Sequence, residues 1–396
     1  MAKYDIVILN HYNRLSPRVE QEINTFRKQG WKVLVIKWHR LDNKGKHIQN
    51  KNDEVSVVTR APKTLIGLYL YLPWIYLLFS FKLIKFSFQA IHCAHLILLP
   101  VSILWGKVRR VPVIYDAYEF HLHEWKDRLP KFFHFVISFI TIFENYLIKS
   151  VDGILTIDSA EGFLEKKYKR LNKNVEVVYN VPLKNSAHLN NQLIEELSKK
   201  YNNRKIIIYV GGLSVQKGAL VALDAAKEVI NKHRDILFLF IGMFHRNTEK
   251  LFWNKIKGNK INEYVEFIDW LPYDEMLHYV AISKVGLILH QPIKKFFLLG
   301  KGNGRKAFTY MQFRIPVVAP NFGNIGSIIE EEQCGILVDT TKPSEISDAI
   351  SYLLSNPEEA KNMGERGRKA IEKIYNWEIE EQKIIKLYKS LGVVYE

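Results

Sequence analysis

Between Ile206 and Gly218 the chain reads IIIYVGGLSVQKG: a β-branched run, a pair of glycines, and a lysine where a helical pattern begins. This order suits phosphate binding. Ile206, Ile207, Ile208 and Val210 have the composition of a strand covered on both faces in a parallel sheet. Gly211 and Gly212 lack a Cβ, so the backbone can turn tightly there and a ligand can approach it closely. From Ala219, ALVALDAAKEVINKH has the spacing of an amphipathic helix. A cation at a helix start opposes the helix dipole, so Lys217 stands where a bound anion is favoured. The plainer alternative is an ordinary strand-to-helix turn with a solvated lysine.

The elements around this turn alternate. In the first half, strands are expected at Tyr4 to Leu9, Lys32 to Trp38, Ala90 to His95, Pro112 to Asp116, Gly153 to Ile157 and Val175 to Tyr179, with a helix at Val19 to Gln29. The second half repeats the plan, with strands at Ile206 to Val210, Leu237 to Ile241, Val265 to Ile268, Val285 to Leu289, Pro316 to Ala319 and Gly335 to Val338. Closing helices follow at Ser344 to Ser355, Pro357 to Lys373 and Glu378 to Leu391. Such alternation predicts an α/β protein of two doubly wound, Rossmann-like domains facing across a cleft. With 396 residues the chain exceeds what a single core usually holds. The expected division is a first domain over 1–183, a polar linker over 184–204, a second domain over 205–375, and a last helix over 376–396 that returns to the first domain.

Charge and composition narrow the partners. The formal net charge is +16, and residues 1–150 carry 22 Lys and Arg against 11 Asp and Glu. Nucleic acid is an unexpected partner, because no recognition motif and no basic helix with interleaved stacking aromatics is present. The aromatics lie instead in two apolar runs, Thr64 to Phe81 and Phe132 to Phe143, the first flanked by Lys63, Lys82 and Lys85. A buried core, a transmembrane helix interrupted by Pro73, and an interfacial surface facing anionic lipid are the three readings. Two cysteines, Cys93 and Cys334, make neither a disulfide framework nor a metal cluster. With MAKYDIVILN running directly into a strand, the expectation is a cytoplasmic protein, with the inner face of the plasma membrane as the place for any peripheral association.

Four stretches of the second half, YVGGLSVQKG, FIDWLPYDEM, GNGRKAFTYMQFRIPVVAP and GILVDTTKPSEISDAISYLLSNPEEAKNMGERGRKAI, resemble the retaining, nucleotide-sugar-dependent glycosyltransferases of family 4, the group 1 type, which have the GT-B fold. More faintly, SPRVEQE from Ser16, VIYDAYE from Val113 and VVYNVP from Val177 resemble one branch of that family. The resemblance implies that Gly211, Gly212 and Lys217 hold the donor diphosphate, although many members carry an arginine where Gly212 stands. It places the donor base near Phe267, and the donor sugar and ribose near the stretch containing Gly302, Gly304, Arg305 and Lys306. Arg305 and Lys306 are expected to add positive charge.

This chain departs from the family at three positions. Lys301 and Thr309 occupy the two positions of a Glu-x7-Glu motif. A carboxylate at the second would accept ribose hydrogen bonds, for which Thr309 offers a weaker neutral substitute. A carboxylate at the first would face an oxocarbenium-like transition state. Lys301 would instead bind phosphate or an acidic sugar, or point into water. Tyr118 stands at a motif histidine and is a poor base near neutral pH. His121 and His123 are the candidates to substitute for it, and His92 and His95 read as strand and loop residues.

What the resemblance implies is a metal-independent transferase with no cofactor beyond its nucleotide-diphosphate sugar co-substrate. It would move a sugar with retention to a saccharide or lipid-linked acceptor hydroxyl, in surface polysaccharide or glycolipid synthesis. Catalytic roles fall to Lys217, Tyr118 and Lys301. The departures also admit a non-catalytic GT-B protein that binds a nucleotide sugar, lipid or partner enzyme, and the architecture is shared with nucleotide-sugar 2-epimerases.

Overall fold

The computed structural model describes residues 2–40, 53–60, 62, 65–118, 134–185, 189–202, 204–245 and 247–394. His121 and His123 lie outside the described residues. Two compact units emerge: Met1–Asp158, Gly162–Val178 and Glu380–Glu396 form the first, and Ser159–Glu161 with Tyr179–Ile379 the second.

In the first unit, chain order is β1 (Ala2–Asn10), α1 (Pro17–Lys28), β2 (Val33–Arg40), β3 (Glu54–Thr59), α2 (Leu65–Leu83), β4 (Phe86–Cys93), α3 (Leu99–Arg109), β5 (Val113–Ala117), α4 (His134–Ile148), β6 (Gly153–Thr156), α5 (Phe163–Leu171) and β7 (Val175–Val177). All seven strands are parallel, in the order β3-β2-β1-β4-β5-β6-β7. Ile6, Val7, Ile8 and Leu9 of central β1 are completely buried, which is why the run carries no alternation: helices cover both faces. α1 begins where Ser16 accepts the Val19 amide and Pro17 occupies the first turn. β3 is a short edge strand with a half-exposed pattern, absent from the expected strands. The first apolar run forms α2 with Pro73 inside it. No described helix is long and apolar enough to cross a membrane.

The second unit contains α6 (Asn191–Lys200), β8 (Lys205–Val210), α7 (Ala219–Lys232), β9 (Ile236–Ile241), α8 (Thr248–Asn259), β10 (Val265–Ile268), α9 (Tyr273–Ala281), β11 (Ser283–Leu287), α10 (Lys294–Phe297), α11 (Arg305–Gln312), β12 (Val317–Pro320), α12 (Gly323–Glu332), β13 (Gly335–Val338), α13 (Pro343–Ser355) and α14 (Pro357–Lys373). Its six parallel strands run β10-β9-β8-β11-β12-β13. The strand order reverses between β8 and β11. Ligands of open parallel sheets bind at such a switch point, outside the carboxyl ends of the strands. The polar stretch read as a linker holds α6, capped by the Asn190 side chain, which accepts the Gln192 and Leu193 amides. Its Leu197 is buried in the core of the second unit, so this segment is part of the fold.

The last helix, α15 (Trp377–Ser390), enters the first unit at Glu380. There Tyr388 is fully buried against Phe26 and Trp31, with ring centroids 4.8 and 5.8 Å away.

Candidate functional site

The loop leaving β8 is held by hydrogen bonds between local side chains and its backbone. The Tyr209 hydroxyl donates to the Lys217 carbonyl at 2.9 Å, and the Lys217 amide donates to Ser214 Oγ at 3.2 Å, closing a single 3-10 turn over Val215–Lys217. Gly218 then starts α7 at φ +79°, where a Cβ would strike the Leu289 carbonyl at 2.0 Å. Lys217 therefore belongs to the turn before the helix, and the helix proper begins two residues later. Gly211 is held at φ +105° and its amide donates to Ile241 O at 2.8 Å. Only glycine adopts that conformation without strain.

What surrounds the two glycines is basic. A Cβ on Gly212 would meet His245 Nε2 at 2.3 Å and Lys217 Nζ at 3.4 Å. One on Gly211 would meet Lys306 Cε at 2.7 Å and Nζ at 3.0 Å. Three basic nitrogens thus converge on one turn, from the loops after β8 and β9 and from the first turn of α11. The position of α11 is fixed by Tyr310, whose hydroxyl accepts the Val210 amide at 3.2 Å and lies 3.3 and 3.4 Å from the carbonyls of Ile208 and Leu287. That side chain ties the helix to both strands flanking the switch point.

The charges that act on Lys306 and on His290 are those of neighbouring lysines. Lys306 keeps some solvent contact, but most of its surroundings are protein. That desolvation, followed by the Lys217 charge, brings its pKa down to about 7. Its ammonium stands over the Tyr209 ring, 4.9 Å from the centroid, which offers a partial counter-charge. His290 lies stacked on Phe296 at 4.0 Å, and burial, then Lys306, Lys217 and Lys295, hold its pKa well below the usual value. A bound anion is the group that relieves this arrangement.

Other residues expected at this site make contacts within the fold. Lys301 pairs with Glu331 on α12, one contact being 2.6 Å to Oε2, so its charge is already answered. Thr309 is 2% exposed and donates to the Arg305 carbonyl at 2.9 Å, while Tyr273 Oη lies 3.2 Å from its hydroxyl. Arg305 sits over the Tyr273 ring, 4.9 Å from the centroid. Gly302 and Gly304 are packing glycines, since a Cβ would strike the Tyr179 ring at 2.5 Å and Ile328 Cδ1 at 2.6 Å respectively. Phe267 stacks on Phe244 at 4.6 Å and meets Phe252 and Trp253 edge-on.

Tyr118 belongs to the first unit, 8% exposed, with the Arg18 guanidinium 6.0 Å from its ring centroid. Arg18 is the centre of a buried cluster that sequence reading missed. It donates to Glu22 at 3.2 Å, to Asp116 at 2.8 Å and to the Val178 carbonyl at 2.9 Å. His92 joins with Nε2 3.3 Å from Glu22 and Nδ1 2.7 Å from the Tyr388 hydroxyl. Burial pushes Asp116 up to about 7 against the pull of Arg18; burial also opposes the ionised Glu22, yet His92 and Arg18 hold it below its usual range. Glu22, His92 and Asp116 are, among the described residues, the group close enough to hold a metal, but Arg18 already supplies their cation. The arginine of SPRVEQE and the aspartate of VIYDAYE were the available signals.

Residues 190–370 match the family model described as glycosyl transferases group 1. That stretch is similar to the group 1 glycosyl transferases. The matched stretch holds the glycine turn, the converging basic side chains and the switch point. Spore coat protein SA of Bacillus subtilis is 23% identical over 200 residues, covering 48% of this chain and 50% of that protein. The chain spans about half the length of most curated relatives it matches. Among solved structures, sucrose-phosphate synthase from Thermosynechococcus elongatus is 14% identical with a TM-score of 0.74, covering 98% of this chain and 99% of that one. Anabaena HepE in complex with UDP-glucose is 14% identical with a TM-score of 0.68, covering 98% and 100%. At these identities the likeness establishes the fold, GT-B with its two Rossmann-like units.

Proposed function

We propose that the protein is a retaining glycosyltransferase whose donor is a nucleotide-diphosphate sugar. The observation carrying this reading is the convergence of Lys217, Lys306 and His245 on the Gly211–Gly212 turn at the switch point. The bond from the sugar's anomeric carbon to the diphosphate oxygen breaks, and Lys217 and Lys306 stabilise the charge left on that oxygen. The acceptor hydroxyl bonds to the same face of the anomeric carbon, and its proton passes to the departing phosphate. With cations already in place, the diphosphate is neutralised without a metal. The UDP-glucose bound by a protein of the same fold supports the donor class. A saccharide or lipid-linked acceptor, used on the cytoplasmic side in surface polysaccharide or glycolipid synthesis, completes the proposal.

A second reading is favoured by Lys301 and Thr309, both engaged within the fold. It is a GT-B protein that binds a nucleotide sugar without transferring it. Incubation with UDP-, GDP- and ADP-sugars, followed by measurement of free nucleotide diphosphate, separates the two. Slow release from one bound donor supports the transferase; tight binding with no release, with or without saccharide acceptors, supports the second reading.

A further inference from the structure

Three helices of the first unit present apolar side chains to water. The crossovers β3-α2-β4, β4-α3-β5 and β5-α4-β6 all proceed in one direction across the sheet. Right-handed connections therefore place these helices on one face and α1 on the other. α3 packs against both α2 and α4.

Along α2, Ile75, Phe79 and Leu83 are fully buried, whereas Leu70, Trp74, Leu77, Phe81 and, just beyond the helix, Ile84 are 50–79% exposed. The intervals of four and three residues make one stripe along the helix, about 21 Å long. α2 is thus apolar on the side facing water as well as on the side facing the sheet, a pattern unsuited to a solvated surface. Leu104 and Val108 on α3, and Ile142, Phe143 and Tyr146 on α4, are exposed in the same way.

Among the described residues of these three helices, the charges that reach the surface are positive. α2 and α3 contain no Asp or Glu, and Glu144 of α4 is buried and paired with Lys167. Lys82, Lys85, Lys107, Arg110 and Lys149 gather at the C-terminal ends of the three helices. Because parallel crossovers orient the helices alike, those ends share one edge of the layer.

We propose that this face docks on an anionic membrane surface, with the apolar stripe at the acyl boundary and the basic edge against the headgroups. Charge complementarity selects this occupant. A second copy would bring the same cation-only surface towards itself. The surface is independent of the donor site, and the proposal does not rest on the nucleotide reading.

Flotation of the full chain with vesicles of phosphatidylcholine alone, and with about one third phosphatidylglycerol added, tests it. The wild type is expected to float with the anionic vesicles only. Lys85→Glu and Lys107→Glu should each lower partitioning about fivefold or more, and Leu77→Glu at least about tenfold. An unchanged melting temperature certifies each variant, with Trp74→Ser replacing Leu77→Glu if the latter unfolds. Equal partitioning into both vesicle types, no flotation, or a sedimenting dimer that Leu77→Glu breaks while the wild type ignores vesicles would overturn the proposal.

Discussion

Lys306 Nζ stands 3.0 Å from the point a Cβ on Gly211 would occupy, so the space left by the glycine is the space the lysine uses. Sequence-distant elements are fitted to each other there. The strand-end glycine and the helix-start lysine together define the proposed anion site.

Gly211→Ala should be costly twice over. The residue must hold φ +105° and displace the Lys306 side chain. Roughly 1–3 kcal/mol of stability is expected to be lost to the backbone alone, with a fall in UDP affinity beyond any change in uridine affinity. Chemical denaturation and calorimetry measure the two effects separately.

Lys217→Ala and Lys306→Ala should each weaken UDP binding by roughly 10- to 100-fold, the range for losing a charge-assisted hydrogen bond. Uridine binding should be nearly unaffected. Equal losses for nucleoside and nucleotide would remove these lysines from the diphosphate.

The depressed pKa of Lys306 fixes the sign of a pH dependence. Its value is about 7 in the folded chain against 10.5 ordinarily, so between those limits the unfolded chain carries the extra proton. Stability from this group therefore rises with pH across that window, and the cost of its charge is full below about 7. A bound diphosphate favours the ammonium form. Donor affinity should accordingly be greatest below pH 7 and decline above it, and Lys306→Met should flatten that decline in calorimetric titrations at several pH values.

Much of this site was legible because its signals are local. Gly211, Gly212 and Lys217 announce a strand, a turn and a helix within one short segment. His245 was missed because its place depends on β9 lying beside β8, although Gly242 at the end of β9 repeats the strand-glycine pattern. Glu331 as the partner of Lys301, Tyr273 as the cover of Thr309, and Arg18 with Asp116 are likewise meetings of separate elements. α6 was hidden by its polarity, since it buries little more than Leu197. β3 was hidden because a short edge strand carries a weak alternation.

Thr309→Glu should not tighten donor binding. The position is buried and its hydroxyl is engaged by the Arg305 carbonyl and Tyr273, so a carboxylate would have to displace the tyrosine or remain poorly solvated. A lower melting temperature with unchanged or weaker UDP-sugar affinity is expected. A tighter complex would show that Tyr273 yields its place.

Arg18→Met should destabilise the first unit by about 3–5 kcal/mol, because it strands buried Asp116 and Glu22 without their cation. Arg18→Met combined with Asp116→Leu should recover part of that loss. Urea denaturation of the two variants gives the comparison, and a surface-like change below about 1 kcal/mol for the single variant would contradict the coupling.

The glycine turn and its converging lysines are proposed to hold a diphosphate. Calorimetric titration of wild type and Lys306→Ala with UDP and with uridine tests it most directly. UDP binding in the wild type that collapses in the variant, with uridine affinity unchanged, is the predicted result. Absence of UDP binding from the folded wild type, or full UDP affinity in the variant, would contradict it.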